Sequence, residues 1–149
     1  MSSVGIVAVV AVLIAASAFG LWRRRVDGKF TAAKSAPKAV EPFVSAAQLG
    51  HPLGAQATLV EFSSAFCAPC RATRQILDRV VNDVDGVALV EIDAERRLDL
   101  TRQFGVMRTP TVLILDSGGY LRHRAAGQPR YADVVGALGA VIPGLDKAS

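Results

Sequence analysis

The chain has 149 residues, of which 51% are apolar, 20% are charged and two are cysteines. This length fits one ordinary domain with a short additional segment, and the composition excludes a disordered chain, a collagen-like chain and a disulfide-rich secreted scaffold. The net charge of +4 comes entirely from residues 23–42, which hold six basic and two acidic side chains. Residues 43–149 hold eleven of each sign, so nucleic acid is not expected as a partner.

The beginning of the chain is apolar. After a short tail of residues 1–3, nineteen residues from Val4 to Trp22 carry no charge. A helix of that length spans about 28 Å, close to the roughly 30 Å core of a bilayer, where a lone segment satisfies its backbone only as a helix. A cleaved signal peptide is the alternative, but no basic residue precedes the apolar run. We therefore predict a single transmembrane anchor over residues 4–22.

The basic residues that follow this segment indicate its orientation. Three arginines occupy positions 23–25, and basic residues beside a membrane span are retained on the cytoplasmic side. We therefore expect a single-pass protein of the cell membrane with everything after residue 22 in the cytoplasm. Residues 23–42 contain two prolines, many small side chains and no apolar period, which predicts a basic flexible linker.

Strands and helices alternate in residues 43–149. Apolar runs and helical periodicity define most of these elements, whereas residues 43–56 indicate only a short strand and a short helix near 46–49. The order β-α-β-α-β-β-α predicts an α/β domain with a mixed sheet and helices on both faces. The predicted strands are 57–62, 87–93, 111–116 and 120–126, and the predicted helices are 68–84, 95–104 and 131–142.

Both cysteines lie in the motif Cys67-Ala68-Pro69-Cys70, where the strand over 57–62 gives way to the helix over 68–84. The unpaired amides at a helix N-terminus favour a thiolate over a thiol. Residues three apart on a helix point the same way, so the two sulfurs can reach bonding distance. We predict Cys67 as an exposed nucleophile and Cys70 as a buried second thiol.

Three other interpretations of the cysteines are less favourable. A structural disulfide over so short a loop adds little stability and would not persist in the cytoplasm. A zinc site needs two further ligands, and His51 and His123 lie far apart in the sequence. Two inert thiols at this junction would be a coincidence. A CxxC motif within a βαβ pattern favours redox activity, which requires neither a metal nor an organic cofactor.

At these residues the chain resembles the thioredoxin family, over about residues 43–149. The resemblance implies a thioredoxin-like fold, a mixed central sheet flanked by helices. It also implies that Cys67 attacks a protein disulfide to form a mixed disulfide, which Cys70 resolves, and that a thioredoxin-reductase-type or other thiol donor regenerates the dithiol. The matching stretches are LVEFSSAFCAPC (59–70), Ile92-Asp93, FGVMRTPT (104–111) and Gly127.

The same resemblance assigns further site residues. Thr109 and Pro110 occupy the position of the cis-proline loop, which pairs with the substrate backbone. Glu61 occupies the position of a buried acid beneath the second cysteine. Burial would raise its pKa and let it accept the proton of Cys70, whereas the alternative is a carboxylate that faces solvent.

Several positions depart from the family pattern. Phe66 replaces the usual tryptophan before the first cysteine, and Arg108 adds a charge beside the proline loop; we include both among the substrate-binding residues. Leu89 stands where a basic partner of the buried acid is expected, so the carboxyl of Glu61 should be still harder to ionise. Gln75 replaces a proline that kinks the helix, which predicts a straighter helix.

The predicted function is a membrane-tethered thiol–disulfide oxidoreductase that reduces protein disulfides in the cytoplasm. One alternative keeps this chemistry but places the domain outside the cytoplasm, where it would act on exported proteins or in cytochrome maturation. Another alternative is a thioredoxin-fold module that binds a partner without turnover.

Overall fold

The structure is a computed structural model that describes residues 3–26, 28–32 and 42–145, with the side chains of the first helix described from Ile6 to Trp22. Strands and helices alternate after residue 57 in the predicted order. The helices are α1 (Ser3–Val26), α2 (Ala46–Leu49), α3 (Ala68–Asp83), α4 (Leu98–Gln103) and α5 (Tyr131–Gly139), and the strands are β1 (Thr31–Ala32), β2 (Ala57–Ser63), β3 (Val87–Asp93), β4 (Thr111–Asp116) and β5 (Leu121–Ala126).

The strands form one mixed sheet in the order β1-β5-β4-β2-β3. Strands β2 and β3 are parallel, joined by the crossover helix α3, whereas the other neighbouring pairs are antiparallel. The predicted α/β domain with a mixed sheet is therefore confirmed. The end of β2 lies in the middle of the sheet, directly before the cysteine motif.

Apolar side chains cover both faces of the sheet, because successive strand residues point to opposite sides. On one face Phe62 packs in a cluster that includes Leu100 and Phe104 at and after α4. On the other face Leu59 packs in a cluster with Leu77 of α3 and with residues of α5. The alternation places residue 61 on the face that α3 covers.

The predicted ends of two helices were wrong. Helix α4 begins at Leu98 rather than at residue 95, because the carboxylate of Asp93 accepts the backbone N–H groups of Glu95 (2.9 Å) and Arg96 (3.3 Å) in a turn. Helix α5 ends at Gly139, three residues before the predicted end. The short helix expected near 46–49 is α2, which is capped by Ser45.

Part of the predicted linker is paired with the sheet. Helix α1 continues to Val26, the backbone N–H of Gly28 donates to the carbonyl of Ala126 at 3.1 Å, and β1 pairs with β5. Residues 33–41 of the predicted linker lie outside the described residues. The stretch that follows α1 thus extends the sheet edge at residues 31–32.

Helix α1 exposes its large apolar side chains, which are about half to two-thirds accessible to solvent. Within the part of the chain that the structure describes, there is no helix with both the length and the apolar character needed to cross a bilayer. The structure therefore does not confirm the transmembrane anchor predicted over residues 4–22.

Candidate active site

The two cysteines form a disulfide at the N-terminus of α3. Cys67 is the N-cap residue, and its Sγ accepts the backbone N–H of Cys70 at 3.1 Å. Pro69 lies in the first turn, where its missing N–H removes no helical hydrogen bond. The helix N-terminus thus points an amide donor at the first sulfur, as the formation of a thiolate requires.

The disulfide is less accessible than the sequence indicated. Cys67 is 9% exposed and Cys70 is 4% exposed. Cys67 is the more exposed of the two, as predicted, but the expectation of an exposed Cys67 was wrong for the oxidised protein. In the oxidised protein its sulfur bonds that of Cys70 and accepts the backbone N–H of Cys70. A cleft of about 540 Å³ reaches both cysteines and is also lined by Arg74 and Glu91.

The proline loop lies beside this helix start. The Thr109–Pro110 peptide bond is cis, as the family resemblance implied, and Pro110 is buried. The hydroxyl groups of Ser64 and Thr109 lie 3.2 Å apart and share a hydrogen bond between the end of β2 and the loop. A groove of about 980 Å³ runs along this side of the site, lined among others by Pro69, Thr109 and Pro110.

The rim of the site carries large exposed side chains. Phe66, immediately before the first cysteine, is fully exposed, and so is nearly all of Met107 in the proline loop. Arg108 lines the groove and donates from Nη2 to the carbonyl of Ala126 at 2.8 Å. Sequence reasoning included Phe66 and Arg108 but missed Met107. Its exposed apolar side chain, three residues before Pro110, indicates a further residue of the rim.

Glu61 is fully buried on the sheet face that α3 covers. The alternative of a solvent-facing carboxylate is therefore excluded. Neither carboxyl oxygen has a hydrogen-bond partner among the described residues. Burial is the main reason that the pKa of Glu61 rises from 4.5 to about 7; the charge of Glu91 raises it further, Arg74 lowers it, and Asp78 raises it.

Arg74 and Glu91 are site residues that sequence reasoning missed. Leu89 is partly buried and packs against the core, and the cation that acts on Glu61 is Arg74 of α3 rather than a residue of β3. Two signals could have revealed these residues. Arg74 lies four positions after Cys70 and so shares its helix face, and Glu91 lies opposite Glu61 in the strand register.

Metal-binding side chains do not cluster in residues 3–26, 28–32 and 42–145: no three or more His, Cys, Asp or Glu residues there are arranged to hold an ion. The chemical groups of the site are two sulfurs, a helix N-terminus and a buried carboxyl group. This set can exchange a disulfide and move a proton.

Comparisons with known proteins agree with this chemistry. The thioredoxin family model matches residues 45–137. A thioredoxin of Alicyclobacillus acidocaldarius is 28% identical over 78 residues, which cover 52% of this chain and 74% of that protein. NADPH-dependent thioredoxin reductase 3 of Arabidopsis thaliana is 37% identical over 65 residues, covering 43% of this chain but only 12% of that protein.

Solved structures show the same fold. A mutant thioredoxin from Halobacterium salinarum superposes with a TM-score of 0.54 at 17% identity, covering 58% of this chain and 75% of that one. Chloroplastic thioredoxin z superposes with a TM-score of 0.53 at 25% identity, covering 58% and 79%. Because the family match spans more than half of the chain and contains the disulfide-bonded pair, the chain belongs to the thioredoxin family and is a thiol–disulfide oxidoreductase.

Proposed function

We propose that the enzyme reduces protein disulfides, with Cys67 as the nucleophile and Cys70 as the resolving thiol. The observation that carries this proposal is the Cys67–Cys70 disulfide at the start of α3, where the N–H of Cys70 donates to the sulfur of Cys67. The same donor and the helix N-terminus stabilise a thiolate at Cys67 once the disulfide is reduced. A thiolate is the species that attacks a disulfide.

In the first step the thiolate of Cys67 bonds one sulfur of the substrate. The disulfide bond of the substrate breaks, and its other sulfur leaves with the electron pair and takes up a proton. In the second step Cys70 loses its proton and bonds the sulfur of Cys67, which releases the second substrate thiol. Two electrons pass from the enzyme dithiol to the substrate, and the enzyme returns to the disulfide form.

Glu61 is the proposed acceptor of the Cys70 proton. It is buried on the face that packs against α3, the helix in which Cys70 lies. Its pKa of about 7 leaves the carboxyl partly ionised near neutral pH, so it can accept a proton there and can also return it. Below that pH the carboxyl is protonated, and we expect the second step to slow.

Thr109 and Pro110 are the proposed contacts to the substrate backbone, with Phe66 and Arg108 at the rim. The groove beside the disulfide supports this assignment, since it brings Pro69 next to the proline loop. Membership of the thioredoxin family supports a thioredoxin-reductase-type or other thiol electron donor.

The test of the reaction uses the purified full chain and insulin with dithiothreitol as the donor. We expect Cys67→Ser to abolish the reduction of insulin, because the attacking sulfur is lost. Cys70→Ser retains that sulfur. When this variant is first reduced, freed of dithiothreitol and then mixed with insulin, it should accumulate a mixed disulfide with the substrate, visible as a reductant-sensitive species of higher mass. Turnover by Cys67→Ser would contradict the mechanism.

We also propose that residues 4–22 hold the enzyme at a cell membrane, with the catalytic domain on the cytoplasmic side. The uncharged run, its exposed apolar side chains and the arginines that follow it support this location. Leu21 of α1 also lines the groove that contains Pro110, so the apolar helix lies beside the proposed substrate site.

Two measurements test the location. Extraction of membranes with alkaline carbonate should leave the full chain in the pellet, and release into the supernatant would contradict attachment. A membrane-impermeant thiol reagent should fail to label reduced Cys67 in intact cells. Rapid labelling would instead place the domain outside the cytoplasm and favour a role with exported proteins or in cytochrome maturation.

A further inference from the structure

An ion pair between Arg74 and Glu91 lies on the side of the sheet where Glu61 is buried. The parallel register of β2 and β3 places Glu91 opposite Glu61. The two carboxyl groups differ in environment, because Glu61 is fully buried whereas the side chain of Glu91 is 46% exposed. Glu91 therefore lies at the surface, next to the buried carboxyl group in the strand register.

Hydrogen bonds hold Glu91 in place through both of its carboxylate oxygens. Oε1 accepts the hydroxyl of Ser63 at 2.8 Å, and Oε2 accepts Nη1 of Arg74 at 2.7 Å. Charge-assisted bonds of this kind are short and directional. The negative charge of Glu91 consequently has a fixed position beside the end of β2.

Arg74 reaches this position from α3, one turn after Cys70. Its Nε also donates to the carboxylate of Asp78 at 3.1 Å, so the guanidinium lies between two carboxylates. One positive charge thus faces two negative ones, Glu91 and Asp78. The influence of Arg74 in favour of an ionised Glu61 is outweighed by these two carboxylates together with burial.

Among the described residues, no charged group other than Glu91, Arg74 and Asp78 contributes to the shifted pKa of Glu61. On β4 the residue opposite Glu61 is the apolar Val112, and on β3 the partly buried Leu89 packs against the core. Asp93, at the end of β3, pairs with Arg96 at 3.4 Å. On α3 the groups that face this layer are Cys70, Arg74 and Asp78; Arg71 lines the adjoining cleft.

The ion pair also opens onto the reaction site. Arg74 and Glu91 line the same cleft of about 540 Å³ as Cys67 and Cys70. A change of charge at either residue therefore acts in the cleft that contains both sulfurs.

We propose that Arg74 and Glu91 are positioning residues of the redox reaction: their ion pair sets the balance between the charged and neutral forms of Glu61, and so the pH at which Cys70 gives up its proton. This inference rests on the proposed role of Glu61 as proton acceptor. Removing the charge of Glu91 leaves Arg74 with one carboxylate partner, Asp78, and so strengthens its effect in favour of an ionised Glu61. Removing the charge of Arg74 leaves only carboxylates beside it, which favours the neutral form.

The test measures the titration of Glu61 directly in the oxidised full chain, by carbon NMR of labelled glutamate carboxyl groups, with Glu61→Gln to assign the signal. We expect Glu91→Gln to lower the midpoint and Arg74→Gln to raise it, each by about one pH unit. The pH profile of the second step, release of product from the mixed disulfide, should shift in the same opposite directions. Arg74→Lys should restore a midpoint near that of the parent chain.

Matched controls exist on the same elements. Arg79→Gln removes another arginine of α3 that pairs with an acid four residues later, and Glu95→Gln removes an exposed acid just after β3. Neither should move the midpoint. A general loosening of the fold would shift both test variants in the same direction, because water entering the site lowers the pKa of Glu61 whichever residue is replaced.

The inference is overturned if Glu91→Gln and Arg74→Gln move the midpoint the same way, or if neither moves it. The NMR titration requires no turnover, so it separates this inference from the proposed function. If the midpoint of Glu61 shifts in opposite directions in the two variants but the pH profile of product release does not, the ion pair acts on Glu61 but does not set the pH at which Cys70 loses its proton. That result would contradict the second half of the proposal.

Discussion

The buried carboxyl of Glu61 makes the stability of the folded protein depend on pH. Its pKa is raised from 4.5 to about 7, so between these values the folded state binds a proton that the unfolded chain has released. Stability contributed by this group is therefore fully present below about pH 4.5 and is lost as the pH rises through 7. A shift of about 2.5 pH units corresponds to roughly 3 kcal/mol.

The substitution Glu61→Gln removes this titration. We expect the free energy of unfolding of the parent chain, relative to that of the variant, to fall by about 3 kcal/mol between about pH 4 and pH 8.5. Any constant cost of burying the amide cancels, because only the change with pH is compared. Urea unfolding of the oxidised full chain at several pH values measures this difference.

The variant Glu95→Gln provides the control. Because this side chain is exposed, the free energy of unfolding of the variant should change with pH as that of the parent chain does. Parallel curves for the parent chain and Glu61→Gln would refute the reasoning. They would mean that the buried carboxyl is solvated or bonded in the folded state in a way that its burial and unpartnered oxygens do not indicate.

Two further predictions concern packing. Leu77→Ala should lower the free energy of unfolding by about 2–5 kcal/mol, because this side chain is fully buried between α3 and the sheet, whereas the half-exposed Leu98→Ala should cost much less; urea unfolding compares them. Gly28→Ala should free residues 28–32 from the sheet edge and speed proteolysis there, because a Cβ would lie 2.0 Å from the carbonyl oxygen of Gln128. Gly50→Ala, with a similar φ but open space, should leave that cleavage unchanged.

Much of the site can be predicted from the sequence, because its reacting residues are close together in the chain. A strand that ends just before a helix, with Cys67 and Cys70 spaced by one helical turn, predicts both the redox pair and the amide donor that faces it. The proline loop and the acid at position 61 followed from the family resemblance. The burial of Glu61 agrees with that resemblance, and the Thr109–Pro110 bond is cis.

Other features depend on contacts between distant segments. Arg74 and Glu91 are 17 residues apart in the sequence and meet only because α3 packs over the register of β2 and β3. The low exposure of Cys67 is likewise a property of the folded chain. The pairing of residues 31–32 with β5 depends on an open edge of the sheet, which the local sequence pattern does not predict.

The sequence by itself determined the identity and spacing of the reacting groups, since helix periodicity and strand alternation act over a few neighbouring residues. Only the tertiary structure decided which charges surround the buried carboxyl. Electrostatic influence follows distance in space and exclusion of water, and both are set by how the helices pack on the sheet.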